Sequence, residues 1–262
     1  DIPGLDDFKG NLYQASQWPH EPVSFADKTV GIIGTGSSGI QAIPVIAAEA
    51  KHLTVFQRTP NFSVPARNSP LDDEWVKKYK VNYADHRLSF RHGLSSGFGD
   101  LNIEAQLEPR IPTVFGTLTE AEANELLENN WRRGGAVFMG SIGDLMLNEK
   151  SNDFARTFVH KKIKSIVKNP EVAELLCPTS HPIGTRRICV DINYYETYNR
   201  DNVTLVSVAD HPIEAITPDG VQVNGAVTQL DTLVIATGFD AMTGALLNID
   251  IRGRGASKLE DK

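Results

Sequence analysis

The run Lys28-Thr29-Val30-Gly31-Ile32-Ile33, passing directly into Gly34-Thr35-Gly36-Ser37-Ser38-Gly39, restricts the fold more than any other segment. A buried strand, a glycine turn and a helix start in that order place a dinucleotide pyrophosphate on helix N–H groups. Gly34 permits the tight turn, Gly36 lets the backbone approach the phosphates, and Gly39 lets the helix pack close to the strand. A helix over Ile40–Ala50 follows, with Pro44 removing one backbone donor from its interior. Leu53-Thr54-Val55-Phe56 predicts the next parallel strand. The expected fold class is α/β, built on a Rossmann-like dinucleotide-binding domain.

The end of that second strand bears on which dinucleotide binds. A carboxylate there would bond the ribose 2′-hydroxyl of NAD, but the chain reads Gln57-Arg58-Thr59-Pro60. A guanidinium at position 58 can pair with a 2′-phosphate, so NADP(H) is the expected coenzyme. The alternative is a solvated arginine at a strand end.

Composition excludes several classes. The 262 residues are 40% hydrophobic and 23% charged, ordinary values for a globular chain of one large or two modest domains. No run of eighteen apolar residues is present, so no membrane partner is expected. A net charge of −7 argues against a general nucleic-acid binder, and any anion site must be locally basic. The start, Asp1-Ile2-Pro3-Gly4, lacks the features of a signal peptide and reads like mid-protein chain. Two cysteines fit a reducing, cytoplasmic setting. Cys177 and His181 alone do not make a metal site, so no metal is expected, and GxSxG is absent.

Along the chain, residues 1–26 read as a turn-rich linker and 27–69 as the first β-α-β unit. Residues 70–180 read as a helical insertion. Within it Leu71–Phe90 has helical spacing, and Thr119-x-x-Glu122 is a capping box opening Glu120–Arg133. Phe154, Phe158, Val159, Ile163, Ile166 and Val167 mark one face of a helix that Asn152 or Ser151 could cap, and Asn169-Pro170 opens another through Leu176. The glycine clusters Gly93–Gly99 and Gly140–Gly143 follow no β-rich strand. Residues 181–240 return to the dinucleotide domain. Val203–Val208 is extended, Ile213–Ile216 and Val221-Gln222-Val223 form a hairpin about Pro218-Asp219-Gly220, and Leu230–Ile235 is a buried strand.

Three segments together resemble the type I Baeyer–Villiger monooxygenases, nearest the phenylacetone and cyclohexanone monooxygenase group. Phe8-x-Gly10-x-x-x-Gln14-x-x-x-Trp18-Pro19 is similar to that family's fingerprint FxGxxxHxxxW(P/D), with Gln14 in the histidine position. Gly34–Gln41 with Gln57-Arg58-Thr59-Pro60 resembles its NADP site. Pro178-x-x-His181-Pro182-x-Gly184-x-Arg186-Arg187, followed by Asp191-x-x-Tyr194-Tyr195-Glu196, resembles the segment bearing its catalytic arginine. Ala236-Thr237-Gly238 matches its ATG-type loop, and the likeness runs through essentially all 262 residues.

The resemblance implies part of a flavoprotein with two dinucleotide-binding domains, in which NADPH reduces FAD and reduced flavin with oxygen converts a ketone to an ester or lactone. Arg187 would be catalytic. Thr35, Ser37, Ser38, Gln41, Arg58, Thr59, Arg186, Thr237 and Gly238 would join the loop glycines at the coenzyme, Arg186 standing where the family often carries lysine. The partners implied are a ketone and molecular oxygen. One GxGxxG is present where the family has two, so FAD would be held mainly by segments outside these residues, with 241–262 starting a return into that domain. Alone, the chain is expected to be inactive. Two rivals stay open: a flavin monooxygenase acting on nitrogen or sulfur, and a non-catalytic NADP-binding module.

Overall fold

A computed structural model describes residues 2–68, 70–92, 113–239 and 243–259. In chain order the strands and helices are β1 (Asn11–Gln14), β2 (Thr29–Ile33), α1 (Ser37–Glu49), β3 (His52–Gln57) and β4 (Ser63–Pro65). Next come α2 (Asp73–Val81), α3 (Tyr83–His92), α4 (Glu120–Arg133), α5 (Glu149–Ile166), α6 (Pro170–Leu176), β5 (Cys189–Asp191) and α7 (Tyr194–Thr197). The chain continues through β6 (Val203–Ser207), β7 (Ile213–Thr217), β8 (Gly220–Val223), β9 (Ala226–Gln229), β10 (Thr232–Ile235) and α8 (Gly244–Leu247). The glycine cluster Gly93–Gly99 and Asp240 lie outside the described residues.

Five strands pair in parallel in the order β1-β10-β2-β3-β6. Alternation along each strand sends side chains to opposite faces, and here both faces are covered. Val30, Ile32, Leu53 and Val55 pack with Ile40, Ile43 and Ile46 of α1 on one side. Ile33, Phe56 and Leu233 pack on the other with Val221 and Ile216 from the antiparallel sheet β7-β8-β9. The parallel sheet therefore lies between helices and a second, smaller sheet.

The segment 70–180 is helical among its described residues, with the stretch expected over Leu71–Phe90 divided at Asn82 into α2 and α3. Helices α4, α5 and α6 share the first core, whereas α2 buries no residue. Leu127, Trp131, Phe158 and Ile163 belong to one buried cluster with Phe62 and Val64 of β4 and with Tyr194 and Tyr195 of α7. The Thr119 box is formed: its Oγ1 accepts from Glu122 N–H, and the Glu122 carboxylate accepts from Thr119 N–H.

Some boundaries differ from the sequence reading. Residues 1–26 are not linker alone, because Asn11–Gln14 pairs with Thr232–Ile235 as an edge strand. Four residues with half-buried or exposed side chains carry too little alternation to reveal a strand. Helix α1 begins at Ser37 and continues through Pro44, since burial of Ile40, Ile43, Ile46 and Ala47 outweighs one missing donor. Helix α5 is capped by Asn148, which accepts from Lys150 and Ser151 N–H, while Ser151 and Asn152 are buried inside it. A polar first turn, Glu149-Lys150, hid that start from hydrophobic spacing.

Candidate dinucleotide site

From β2 the chain advances through β3 to β6, whereas β10 and β1 lie on the other flank of β2. The order therefore reverses between β2 and β10, where an open parallel sheet leaves a crevice beyond its carboxyl ends. Gly34 sits at that point with φ +109°, and a Cβ there would lie 2.4 Å from the Ala236 carbonyl oxygen. Only glycine accepts both the dihedral and the approach. Gly39 is constrained by approach alone, its would-be Cβ falling 2.2 Å from Gly34 O. Nothing lies within 4 Å of the corresponding position on Gly36, and α1 has no side-chain cap. Ile40 N–H is bonded back to Gly36 O at 2.9 Å, and the amides ahead of it on the first turn have no intrahelical partner. A phosphate group fits this opening as an acceptor for those donors.

The other proposed residues gather on segments tied to this loop. Thr35 is buried, and its hydroxyl donates to Thr59 O at 3.1 Å, fixing the glycine loop to the residue after Arg58. Ser37 Oγ lies 3.4 Å from Cys189 Sγ, and Gln41 Nε2 donates to Val190 O at 3.2 Å, binding the start of α1 to β5. Ser38 is half-buried on the same turn. Strand β5 pairs with β4 in parallel, Ser63 opposite Cys189, so the chain leaving Arg58 runs beside the chain leaving Arg187. Arg58, Arg186 and Arg187 are exposed, and none forms an ion pair with a carboxylate among the described residues. Asp191 does not neutralise them. It is buried, accepts from Ser63 Oγ and from Tyr194 N–H at 2.9 Å, and burial raises its pKa. Thr237 and Gly238 are exposed beyond β10, Gly238 with φ +112°.

The arginine segment is anchored from the helical side. Asn152 of α5 accepts from Ile183 N–H at 3.0 Å and donates to Ile183 O at 2.8 Å. Phe62 lies between two imidazoles, stacked on His160 at 6.0 Å and edge-on to His181 at 5.5 Å. Burial lowers the pKa of both, and the charge of Arg186 lowers His181 further. Cys177 is a buried thiol, pushed up by burial to about 11.

In the fingerprint, Gln14 ends β1 opposite Ile235, at the same sheet edge as the loops. Gly10 is pressed against Asp231 O and the Phe8 ring, where a Cβ would meet them at 2.5 and 2.6 Å. Phe8 is buried in the second core, while Trp18 packs on Tyr13 at 5.5 Å with 40% of its surface exposed. The sequence reading missed Asn61, Asn152 and Cys189. Their roles depend on partners more than 100 residues away for Asn61 and Cys189, and 31 away for Asn152, which one sequence does not reveal. Among the described residues, no helix is long and apolar enough to cross a membrane, and no group of three His, Cys, Asp or Glu could hold a metal.

Comparison with known proteins gives a consistent picture. No family model matches the chain. A Baeyer–Villiger monooxygenase of Pseudooceanicola batsensis is 41% identical over 98% of this chain and 46% of its own length. Phenazine N-monooxygenase PhzNO1 of Lysobacter antibioticus is 38% identical over 99% of this chain and 46% of its own length. A crystal structure of OTEMO in complex with FAD and NADP superposes with a TM-score of 0.91 at 41% identity, over 100% of this chain and 48% of that one. The chain thus spans about half the length of the relatives it matches.

Proposed function

Because this chain is homologous over nearly its whole length to Baeyer–Villiger monooxygenases, we propose that it is the NADP-binding portion of one. The whole enzyme would use NADPH and FAD to insert one oxygen atom beside a ketone carbonyl, giving an ester or lactone. When bound, the coenzymes supply the redox chemistry, NADPH as hydride donor and flavin as the group that activates dioxygen. The protein's share is binding, orientation and charge.

The observation that carries this reading is the set of arginines with no carboxylate partner among the described residues, beside an uncapped glycine loop. First-turn amides of α1 hold the pyrophosphate, with Gly36 giving it room. Arg58 and Arg186 flank the 2′-phosphate, whose charge exceeds what one guanidinium neutralises. Arg187 is a permanent cation that stabilises negative charge developing on oxygen during attack on the ketone. Gln14, in the fingerprint histidine position, offers a neutral hydrogen bond and no titratable charge. We assign 27–69 and 181–240 to the coenzyme domain, 70–180 to its helical insertion, and 1–26 and 241–262 to connections with a flavin domain. Two buried free thiols suit a reducing compartment, and we place the protein in the cytoplasm.

The test is a polypeptide carrying this chain together with a flavin-binding half, given NADPH, a ketone and ¹⁸O₂. The expected product is an ester bearing one labelled oxygen. Arg187→Ala should retain NADP binding and lose ester formation by about a hundredfold or more. Unchanged ester formation in that variant contradicts the assignment. Oxygenation of a ring nitrogen is a second reading, favoured by the likeness to the phenazine N-monooxygenase. Competition between a ketone and a nitrogen heterocycle decides between them.

A further inference from the structure

A chain of side-chain contacts crosses the mouth of the site, and Asn61 stands at its centre. Its Oδ1 accepts from Phe62 N–H at 2.9 Å, which fixes the side chain against its own backbone. That orientation turns Nδ2 toward the opposite segment, where it lies 3.3 Å from Arg187 O and 3.2 Å from Cys189 Sγ. Cys189 Sγ in turn lies 3.4 Å from Ser37 Oγ on the glycine loop. The Asn61 backbone is three residues beyond Arg58 and two beyond Thr59, whose carbonyl accepts from Thr35. One amide group therefore touches the peptide of the second arginine segment while its own backbone carries the first.

We propose that Asn61 is a positioning residue that sets the spacing between Arg58 and the Arg186-Arg187 segment, and so tunes discrimination for the 2′-phosphorylated coenzyme. It touches neither coenzyme nor substrate; it acts through the backbone of Arg187. The side chains of Arg58 and Arg186 are long, exposed and free of carboxylate partners among the described residues. Without a fixed backbone they would lose more entropy in closing on one phosphate. The backbone pairing Cys189 N–H to Phe62 O, at 2.9 Å, holds the strands together further along. The Asn61 amide extends that tie by two residues, from Cys189 to the carbonyl of Arg187, next to Arg186 in the chain. The inference depends on Arg58 and Arg186 flanking the 2′-phosphate, as proposed above.

The experiment is a double-mutant cycle, with NADPH and NADH each titrated by fluorescence into the 262-residue chain. Asn61→Ala removes all three side-chain contacts, and Asn61→Ser keeps a short acceptor near Phe62 N–H while losing the reach to Arg187. Each should loosen NADPH by roughly fivefold, the value of one neutral hydrogen bond, and leave NADH within about twofold. In an Arg186→Ala background, Asn61→Ala should change NADPH binding by less than about twofold, because the group it positions is gone. Equal losses for the two coenzymes, an undiminished loss in the Arg186→Ala background, or no loss at all each overturn the positioning role while leaving the coenzyme assignment intact. Unfolding of both Asn61 variants overturns it as well, since the residue is only half-buried and should leave the melting temperature within a few degrees. An unsubstituted chain with no preference for NADPH overturns the coenzyme assignment and the role of Asn61 together.

Discussion

At the residue scale, two of the loop glycines, Gly39 and Gly36, have separable roles. Gly39 faces backbone: an added methyl would fall 2.2 Å from Gly34 O, so α1 must move off the loop. Gly39→Ala should destabilise by about 1–3 kcal/mol, read as a lower midpoint in urea. Gly36 has φ −83° and open space, so Gly36→Ala should melt like the parent yet bind NADPH at least about tenfold more weakly, because its methyl occupies the phosphate opening. A normal affinity in Gly36→Ala would remove the pyrophosphate from that position. The strand–glycine loop–helix geometry, and the place of Arg58 directly after β3, were legible because spacing encodes a local geometry. Asn61 was not, since Pro60 and Phe62 give no hint that its partners are Arg187 and Cys189.

At the scale of elements, the helical segment and the arginine segment are joined by Phe62 and its two histidines. Among the described residues His160 bonds to no side chain; its Nε2 lies 2.9 Å from Pro178 O. Burial, the largest influence, lowers its pKa, the Pro178 bond opposes this, and the charges of Arg156 and Lys164 lower it further. Burial likewise lowers His181. A histidine whose folded pKa lies below its unfolded value, about 6.5, contributes stability that is present above that value and is lost as pH falls through it, because the unfolded chain takes up the proton first. The melting temperature should therefore be lower at pH 5.5 than at pH 7.5, and His160→Gln should shrink the difference. A pH-independent melting temperature would contradict burial of these rings. Helices with caps and apolar stripes, Glu120–Arg133 and Pro170–Leu176, were readable to the residue. The start of α5 and the edge strand β1 were not, one because its first turn is polar and the other because pairing with Thr232–Ile235 alone makes it a strand.

At the scale of the whole molecule, the five-stranded parallel sheet brings the glycine loop, the end of β3 and the Ala236-Thr237-Gly238 turn to one edge, and the separate β4-β5 pair draws the arginine segment alongside the chain leaving β3. Spacing pointed to the glycine loop and the end of β3, and family resemblance to the other two, but neither could show that Thr35, Gln41 and Cys189 tie the glycine loop and α1 to the end of β3 and to β5. The same arrangement makes a site of local positive charge on a chain of net charge −7, so affinity should concentrate at the 2′-phosphate. The most direct measurement is calorimetric titration of the 262-residue chain with NADPH and NADH, repeated with Arg58→Ala. NADPH should bind the parent more tightly than NADH, and Arg58→Ala should weaken NADPH by about ten- to a hundredfold with NADH nearly unchanged, the value of a charge-assisted contact. Equal affinity of the parent for both coenzymes, or equal losses on substitution, would contradict the account.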